Sequence, residues 1–465
     1  MKLKKRYLFE VASLAAILTL NVSLFANVYK KANEVNAYTA SSLPTTINLN
    51  DCTDSEIRTY YAGLNSLSSS ERKGTNLLKN LKPILSNGQQ YFSYENGESI
   101  WKFYEITDRD WVKSPASAIS GYNPTTNIIN GYTYRSSDPY LHALYINRDV
   151  DNQTKAWADH SQNNWGINRE HIWAKSHGFQ AEGAGGARGD PMHLWAANGH
   201  VNNIHSNYFF GFVDKTKSYT NTGNTYSYTN NNYRGFSKNG GNYTVFEPQD
   251  CDKGDIARSI FYMVARYNNY AGATTGFSTD NPNLVLANSL SENSRTGTST
   301  ATDPYAMGLL SDLLAWNKLD PVDDYEIHRN NLLYRNFTKN RNPFIDFPSW
   351  ADAIWGTADL DGKNYNSTIN SVANPATDTI NSGASTAVFG ISRSSVNLQV
   401  GGTAEICGMN AEGNITWSVG NSSVATLSKT TSTNDEYITI TAVGNGTTTV
   451  TATNGGKSET CTVTV

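Results

Sequence analysis

The strongest constraint on the fold is a change of sequence pattern near residue 363. From Val388 onward, β-branched residues alternate with polar ones in short runs between turn signals. Successive side chains of a strand point to opposite faces, so this periodicity predicts strands, at the spacing of a β-sandwich. The segment 363–386 has few large apolar residues and is predicted to be a flexible linker. The chain therefore divides into a larger domain, 45–362, and a small all-β domain, 387–465.

The larger domain mixes helical and extended patterns. In "KGDIARSIFYMVARYNNY" the apolar residues recur at helical spacing, which predicts a helix with Asp255 in its first turn. A second helix is predicted from about Tyr305 until Pro321 stops it, and a third with Pro348 at its first position. The Tyr-, Asn- and Gly-rich middle is expected to hold loops and short strands. The predicted fold class is α+β.

The N-terminus has the form of a secretory signal. Basic residues precede the apolar run Val11 to Phe25, which is shorter than the roughly 20 residues that a membrane-spanning helix needs. We expect residues 1–37 to be removed by cleavage after Ala37, with an uncleaved anchor as the alternative. The mature protein is then secreted and has no membrane span. The chain ends at Val465 without a sorting signal, which favours release or noncovalent retention.

Removal of the signal makes the chain more acidic. It takes away six basic and two acidic residues, so the formal net charge moves from −4 to −8. Proteins that bind polyanions without specificity usually carry a basic surface, so bulk charge gives no support to a nucleic-acid partner. Any such partner must be bound by a local site.

The cysteines are few for a secreted protein of this length. Cys52, Cys251, Cys407 and Cys461 allow three pairings. Because secretion permits disulfides, we expect one bond in each domain, Cys52 with Cys251 and Cys407 with Cys461. Buried thiols are the alternative.

Polar side chains crowd the stretch "GINREHIWAKSHGF", residues 166–179. Seven of the eight histidines lie between His142 and His205, which raises the question of a metal. A helical zinc site needs His at i and i+4 with Glu beside the first. Here Glu170 precedes His171, and the next histidine, His177, is six residues later. A structural zinc site or a zinc hydrolase is therefore the weaker alternative, and His177 and His200 are expected on the surface.

An oxygen-ligated metal ion suits the same stretch better. Mg²⁺ takes oxygen donors and keeps several waters, so one carboxylate and one amide oxygen are sufficient protein ligands. Glu170 and an asparagine of "GDPMHLWAANGHVNNIHSNYFFG" could supply them. A neutral imidazole can deprotonate water near neutral pH, which leaves His171 for proton chemistry. Metal and base together are what phosphodiester hydrolysis requires.

Two motifs carry a resemblance to a known family. "NREHIWAKS" followed by "GDPMHLWAANGHVNNIHSNYFFG" resembles the paired motifs of the secreted endonuclease I family. The stretches "CDKGDIARSIFYMVARY", "LDPVDDYEIHRNNLLY" and "NRNPFIDFPSWADAIW" are similar to the later blocks of that family. The resemblance covers roughly residues 57–355. It implies a ββα-metal core, also called a His-Me finger, embedded in a largely helical domain.

The resemblance also implies roles for individual residues. His171 matches the general base, and Glu170 and Asn202 match the ligands of one divalent ion, expected to be Mg²⁺ with Mn²⁺ or Ca²⁺ as alternatives. Asp190 and His193 match residues that orient the site from behind these ligands. Asn207 also matches a family position, but the resemblance alone implies no role for it.

Three positions depart from the family pattern. Ala174 stands where the family has Pro, Met192 where it has the first His of a His-His pair, and His205 where it has Arg. Loss of that Arg puts stabilisation of the phosphate in doubt. Arg188 is our candidate to replace it, and a surface ion pair with Glu182 or Asp190 is the alternative for this side chain.

The all-β domain has a resemblance of its own. "ITWSVGNSSVATLS" and "ITAVGNGTTTVTAT" resemble bacterial Ig-like domains of group 2, which act as spacers or as contacts to a cell surface or matrix. The whole chain is thus expected to be a secreted, monomeric, metal-dependent endonuclease that hydrolyses DNA and RNA without regard to the sugar and leaves 5′-phosphate ends. DNA degradation is its expected role. The alternative is an adhesin with a decayed catalytic site that binds nucleic acid or surfaces through the Ig-like domain.

Overall fold

Two large hydrophobic cores form in the computed structural model of the chain. The first gathers buried side chains between Ile47 and Ile380, and the second those between Phe389 and Val463. Helices and strands surround the first core, whereas strands surround the second, so the predicted α+β class is confirmed. The structure describes residues 36–38, 44, 47–92, 94, 100, 103–104, 106–108, 122–123, 128–129, 142–145, 167–178, 186–215, 220–221, 224–225, 232–239, 243–268, 282–287, 306–381, 389–391, 395–409, 411, 413–433 and 436–465.

The longest described helix, α4, is the centre of the first core. All residues of Lys253–Tyr267 are buried, and α2 and α5 pack against it. This confirms the helix predicted from "KGDIARSIFYMVARYNNY". The helices are α1 Asp54–Tyr60, α2 Gly74–Ser86, α3 Gly199–His205, α4 Lys253–Tyr267, α5 Leu310–Leu319, α6 Asp324–Leu332, α7 Pro343–Asp346 and α8 Trp350–Trp355.

Strands of the first part are short and form small sheets. Two of these pairings matter for the site, namely the antiparallel pair β5–β6 and the three-stranded sheet β10-β11-β7. The strands are β1 Asn36–Tyr38, β2 Gln90–Phe92, β3 Tyr122–Asn123, β4 Ile128–Ile129, β5 Ile167–His171, β6 Leu194–Asn198, β7 Phe209–Phe210, β8 Thr220–Asn221, β9 Asn224–Thr225, β10 Tyr233–Phe236, β11 Thr244–Glu247, β12 Val285–Ala287, β13 Ala306–Leu309, β14 Thr357–Ala358 and β15 Tyr365–Asn366.

Two of the predicted helices begin later than their sequence patterns indicate. Residues Ala306–Leu309 form β13, which pairs with β12, and α5 begins only at Leu310. Gly308 has φ 78°, a left-handed backbone that interrupts a helix. The third predicted helix begins at Trp350 rather than at Pro348, and a separate short helix, α7, with Pro343 at its first position, precedes it.

The segment expected to be a flexible linker is bound to the first part as far as Asn381. Ala373 and Ile380 are buried in the first core. The carboxylate of Asp378 accepts a 2.8 Å hydrogen bond from Trp350 Nε1, and its backbone carbonyl accepts one of 3.2 Å from Arg58. The few apolar residues of this segment are therefore anchors, and a low apolar content alone did not reveal that.

The C-terminal part consists of two main sheets that share one core. One has the order β17-β25-β24-β20-β22 and the other β18-β23-β21, and Trp417 of β20 is buried between them. The predicted strand periodicity is confirmed, while the identification as an Ig-like domain of group 2 stays a prediction. The strands are β16 Gly390–Ile391, β17 Ser395–Asn397, β18 Thr403–Ile406, β19 Gly408–Met409, β20 Ile415–Val419, β21 Ala425–Leu427, β22 Thr431–Ser432, β23 Ile438–Ala442, β24 Thr447–Asn454 and β25 Lys457–Thr464.

The structure forms neither of the expected disulfides. All four cysteines are buried thiols. Cys52 Sγ lies 3.1 Å from Nη1 of Arg341, which donates a hydrogen bond to it. Cys407 and Cys251 both act on the half-buried Tyr437, whose pKa is raised first by burial and then by these two thiols.

Most of the expected signal segment lies outside the described residues. Its last residues belong to β1, which pairs with β2 in parallel and contains the expected cleavage position Ala37. Among the described helices, none combines the length and the apolar character needed to cross a membrane.

Candidate active site

A strand hairpin followed by a helix carries the residues singled out in the sequence. β5 and β6 pair antiparallel, with Glu170 opposite Trp195 and His171 opposite Leu194. Helix α3 begins directly after β6 and packs against both strands. Asn198 caps it, because its side-chain oxygen accepts hydrogen bonds from the backbone N–H of His200 and Val201, both at 3.1 Å. The order strand, strand, helix is the one that the resemblance implied.

Glu170 is buried and held by two donors on the same oxygen. Its Oε1 accepts a 2.7 Å hydrogen bond from the Tyr145 hydroxyl and a 2.8 Å bond from Nδ1 of His205. Only 3% of Glu170 is exposed, so these bonds fix the carboxylate in one orientation. Both donors bind Oε1, which leaves Oε2 as the oxygen that can take a further ligand.

Tyr145 reaches Glu170 from a strained backbone. Its φ is 73°, a value that non-glycine residues rarely adopt. Asp252 accepts the Tyr145 N–H at 2.6 Å, and the side chain of Asn232 donates to the Tyr145 carbonyl at 2.8 Å. Leu144 forms an isolated β-bridge with Ala197 of β6, and this bridge positions the neighbouring Tyr145 beside the hairpin. Sequence reasoning missed Tyr145, since no motif marks it.

His205 stands where the family has Arg, and it hydrogen-bonds the carboxylate of Glu170. Both its ring nitrogens face oxygen acceptors, Nδ1 the Glu170 carboxylate and Nε2 the Tyr208 carbonyl at 3.1 Å. The imidazolium satisfies both bonds, whereas each neutral tautomer satisfies one. The ring also stacks on Phe210 with centroids 4.3 Å apart. This departure from the family pattern thus supplies a second hydrogen-bond donor for Glu170.

His171 is oriented by a backbone carbonyl. Its Nε2 lies 2.9 Å from the carbonyl oxygen of Arg188. A carbonyl can only accept, so Nε2 carries the proton and Nδ1 keeps the lone pair. Burial, and then the neighbouring His193, lower the pKa of His171 well below its usual value. The ring is therefore neutral near neutral pH and has one basic nitrogen.

A short 3₁₀ helix, Gly186–Gly189, orients a second histidine in the same way. Nε2 of His193 donates to the carbonyl of Ala187 at 2.7 Å, and the His193 and His171 rings lie 5.3 Å apart. Burial lowers the pKa of His193 to about 3. The backbone of this helix thus holds both rings. Gly189 is required there, because an added Cβ would lie 1.9 Å from the carbonyl oxygen of Phe92.

Asp190 ties this 3₁₀ helix to the protein core. Its Oδ2 accepts hydrogen bonds from Gln89 at 2.6 Å, Tyr262 at 2.7 Å and Tyr267 at 2.8 Å. Its Oδ1 accepts the N–H of Met192 at 3.0 Å. Burial raises the pKa of Asp190, and the hydrogen bonds oppose that rise. Asp190 therefore anchors the end of the 3₁₀ helix whose carbonyl groups bond His171 and His193.

Arg188 extends from the 3₁₀ helix toward the ring of Tyr94. Its guanidinium carbon lies 5.0 Å from the ring centroid of Tyr94, and the rings of Tyr94 and His171 are 4.4 Å apart. The side chain is buried rather than on the surface. Of its two alternative partners, Glu182 lies outside the described residues. The structure thus places Arg188 beside Tyr94, next to His171.

Asn202 lies half-buried on α3, one turn before His205. Helix residues three apart share a face, and His205 bonds Glu170, so Asn202 lies on the face of α3 that is turned toward that carboxylate. Carboxylate and amide oxygens are donors that Mg²⁺ accepts. Within the described part of the chain, no cluster of three or more His, Cys, Asp or Glu side chains has the geometry of a metal site. A pair of ligands made of one Glu and one Asn is smaller than such a cluster and includes an amide, so it falls outside this description.

The structure bears on two other sequence expectations, one for Ala174 and one for His177. Ala174, in place of the family's Pro, has φ −57°, which is a proline-like value, so the backbone keeps that conformation. His177 was expected on the surface and is buried instead, with its Nε2 2.9 Å from the Asn207 carbonyl and its ring against Phe209. The surface prediction for His177 is therefore wrong.

Comparison with known proteins identifies a family whose sequence profile matches this chain. The sequence profile described as Endonuclease I matches residues 73–349. An extracellular ribonuclease of Bacillus amyloliquefaciens is 34% identical over 329 residues, which is 71% of this chain and 89% of the relative. An extracellular ribonuclease of Bacillus subtilis (strain 168) is 34% identical over 297 residues, 64% of this chain and 78% of the relative. A solved S-layer protein matches 17% of this chain and 12% of its own at 23% identity, but with a TM-score of 0.16 that likeness carries no conclusion.

Proposed function

Because the chain belongs to the endonuclease I family and is therefore a nuclease, we propose that it is secreted and hydrolyses RNA and DNA with the help of one divalent ion. Two relatives named extracellular ribonucleases support both the secretion and the RNA substrate. The observation that carries the assignment of the site is the pair Glu170 and His171. The first is a carboxylate fixed by two donors, and the second is a neutral imidazole fixed by a carbonyl.

His171 is the general base in this proposal. Its Nε2 is committed to the Arg188 carbonyl, so Nδ1 takes the proton from a water molecule. The lowered pKa keeps the ring unprotonated near neutral pH. The ring is buried and fixed, which keeps Nδ1 in one direction and reduces the entropy lost on reaching the transition state. The water attacks phosphorus in line with the departing 3′ oxygen.

Glu170 and Asn202 are the proposed ligands of the ion, which we expect to be Mg²⁺, with Mn²⁺ or Ca²⁺ as alternatives. The residues fit a hard cation, because both offer oxygen and Oε2 of Glu170 is left over when Tyr145 and His205 bind Oε1. The ion, when bound, supplies stabilisation of the negative charge that develops on the phosphate and the leaving oxygen. Asp190 and His193 hold the 3₁₀ helix that orients His171.

Arg188 is the proposed partner of the scissile phosphate. It lies next to His171 through the ring of Tyr94, and a guanidinium can bind two phosphate oxygens at once. His205 is not available for this role, because its ring nitrogens are engaged by Glu170 and Tyr208. The phosphate contact that the family's Arg would make is therefore assigned to a different segment.

A water nucleophile has a consequence for the substrate. The attack makes no use of the 2′-hydroxyl, so the same site serves RNA and DNA, and the products carry 5′-phosphate ends. Further proposals are a monomeric state, and a C-terminal Ig-like domain of group 2 that contacts a cell surface or matrix. The two sheets around Trp417 support the latter.

Cleavage assays test this function. Supercoiled plasmid and a folded RNA are incubated with the purified mature protein, with Mg²⁺ and with chelator. We expect metal-dependent nicking of both substrates. His171→Ala should lower the cleavage rate by at least about a thousandfold, since a general base contributes a rate factor of this order. End-labelling then checks for 5′-phosphate.

His328→Ala is the matched control. His328 lies on α6, where its Nδ1 bonds Asp51, and it has no role in the proposed site, so this variant should cut at the wild-type rate. If wild-type protein retains DNA and RNA in a gel shift but cuts neither, the proposal fails and the decayed adhesin is correct. Cutting that survives His171→Ala contradicts the assignment of the base.

A further inference from the structure

A strained turn follows α3 and leads the chain into β7. Ser206 has φ 53° and ψ −114°, and the backbone N–H of Tyr208 donates to the carbonyl of His205 at 3.0 Å. These dihedrals belong to the first central position of a type II′ turn, which glycine usually occupies. A non-glycine residue persists there only where surrounding contacts hold the backbone. We call residues 205–208 the α3 turn.

The α3 turn orients His205. Nε2 of His205 lies 3.1 Å from the carbonyl oxygen of Tyr208, and Nδ1 of the same ring bonds Glu170 at 2.8 Å. A shift of the Tyr208 carbonyl therefore moves the ring and its bond to the carboxylate. Arg234 supports the helix end and the ring of Tyr208, since it donates to the Ile204 carbonyl at 3.1 Å and lies 5.0 Å from the ring centroid. The backbone of the turn is held by a different residue.

His177 holds the backbone of the α3 turn. Its Nε2 lies 2.9 Å from the carbonyl oxygen of Asn207, and its ring packs against Phe209 with centroids 5.1 Å apart. A carbonyl can only accept, so Nε2 carries the proton. His177 ends the short 3₁₀ helix that follows β5. Its bond thus connects the segment after the strand of Glu170 to the turn that orients His205.

Stability alone does not account for a histidine at position 177. Burial lowers the pKa of His177, so the ring is neutral near neutral pH. Nδ1 of His177 is buried, and none of the described residues hydrogen-bonds it. A buried polar atom without a partner costs at least as much free energy as a neutral hydrogen bond contributes. An apolar side chain would avoid that cost, so the bond from His177 to Asn207 has a use beyond stability.

We propose that His177 is a positioning residue for the metal site, which holds the α3 turn in its strained conformation so that His205 stays on the carboxylate of Glu170. The inference rests on the proposed function, in which that carboxylate is a ligand of the ion. The general base does not depend on the turn, because a carbonyl of the 3₁₀ helix Gly186–Gly189 orients His171. His177 therefore determines metal affinity rather than the rate of the chemical step.

Metal binding without nucleic acid tests this role. The probe is Mn²⁺ alone, and electron paramagnetic resonance measures the free ion as purified mature protein is added. His177→Leu fills the buried position without a donor, so the Mn²⁺ dissociation constant should rise about tenfold, the lower end of the effect of losing a residue that orients a metal ligand. His177→Gln can place an amide N–H near the position of Nε2 and should bind Mn²⁺ as wild type does. At saturating metal, both variants should cut with the wild-type kcat.

Hydrogen exchange in chelator tests the α3 turn without any metal. The backbone N–H groups of Ser206 and Tyr208 are bonded to carbonyls in the last turn of α3. In His177→Leu, the peptide that contains these two groups should exchange about three to ten times faster, the factor that one lost hydrogen bond produces. A peptide from α4 should exchange as in wild type.

Two further variants serve as controls. Phe344→Leu removes a buried ring that contacts Phe261 and Trp355. It belongs neither to the α3 turn nor to the proposed site, so it should lower stability and leave Mn²⁺ affinity unchanged. Ser206→Gly in the His177→Leu background should recover most of the Mn²⁺ affinity, because glycine adopts the turn conformation without strain.

Three results overturn the proposal. One is a Mn²⁺ dissociation constant for His177→Leu equal to that of wild type. Another is a turn peptide that exchanges as slowly in this variant as in wild type. The third is an equal loss of affinity in Phe344→Leu, because general destabilisation would then account for the effect. A wild-type protein that binds Mn²⁺ but cuts neither DNA nor RNA contradicts the nuclease mechanism instead and leaves the comparison of metal affinities valid.

Discussion

At the scale of single residues, the carboxylate of Glu170 depends on a tyrosine that no motif marks. Tyr145→Phe removes one of the two donors to Oε1 while the ring remains in place. Loss of a residue that orients a metal ligand typically weakens metal affinity 10–100-fold, so we expect the Mg²⁺ concentration at half-maximal rate to rise by about that factor. Titration of the nuclease rate with Mg²⁺ checks this.

Tyr61→Phe provides the comparison for that variant. The Tyr61 hydroxyl donates to another buried carboxylate, Oδ2 of Asp346, at 2.8 Å, so the chemical change and its cost in stability are similar. Its Mg²⁺ requirement should equal that of wild type. An unchanged requirement in Tyr145→Phe as well would mean that Glu170 is not a metal ligand, or that His205 alone suffices to orient it.

The sequence marks the candidate reactive residues but not the residues that hold them in position. The spacing of Glu170, His171 and Asn202 within two motifs led to the family, and the structure places Glu170 and His171 on β5 and Asn202 on α3. Tyr145 and Tyr94 lie outside both motifs and reach the site only through tertiary contacts. His177 was misjudged because a histidine beside polar residues gives no sign of its burial.

At the scale of elements, a buried ion pair fixes the end of β11 to the start of α4. Glu247 contacts Lys253 at 2.9 Å and Lys215 at 3.2 Å. Burial alone would raise the pKa of Glu247, but the two lysine charges outweigh it and lower the pKa to about 2 from its usual 4.5. A depressed pKa stabilises the folded state above pH 4.5, and this stability is lost as the pH falls toward 2.

We expect Glu247→Gln to flatten that acid dependence. The wild type should lose on the order of 3 kcal/mol of unfolding free energy through this group between pH 4.5 and 2, and the variant should lack that part of the decline. Urea unfolding at a series of pH values measures it. Asp54→Asn, at an exposed acid of α1, should leave the curve unchanged. Parallel curves for wild type and Glu247→Gln would contradict the assignment.

Helices were predicted where apolar residues recur at helical spacing over several turns. Helix α4 meets that condition, and its prediction is confirmed over its whole length. Boundaries failed where a local backbone preference decides them, as at Gly308, whose left-handed φ lies within β13 and keeps α5 from beginning before Leu310. The strands around the site are two to five residues long, and a period-two pattern cannot be recognised over so few residues.

At the scale of the whole molecule, the boundary between the two parts lies after Asn381 rather than near residue 362. A fragment that ends at Asn381 keeps Ala373 and Ile380 in the first core and Asp378 on Trp350. We expect it to retain nuclease activity, because all the residues proposed for the site lie before Asn381. A fragment that ends at Gly362 should melt far lower or aggregate.

Activity and calorimetric melting of the two fragments, compared with the full chain, check this boundary. The comparison between fragments is the control, because both lack the C-terminal sheets. Equal melting temperatures would mean that the contacts of residues 363–381 contribute nothing to stability. The composition of this segment predicted a linker, since only a few apolar residues anchor it and composition does not show where they pack.

The supports of the site come from widely separated parts of the chain. Glu170 is held by residues 25 positions before it and 35 positions after it. Asp190 is held by Gln89, 101 positions earlier, and by Tyr267, 77 positions later. A nascent or partly folded chain therefore has the reactive side chains but no assembled site. Nuclease activity is therefore among the last properties to appear during folding. Until its tertiary fold is complete, the chain is inactive in the cell that makes it.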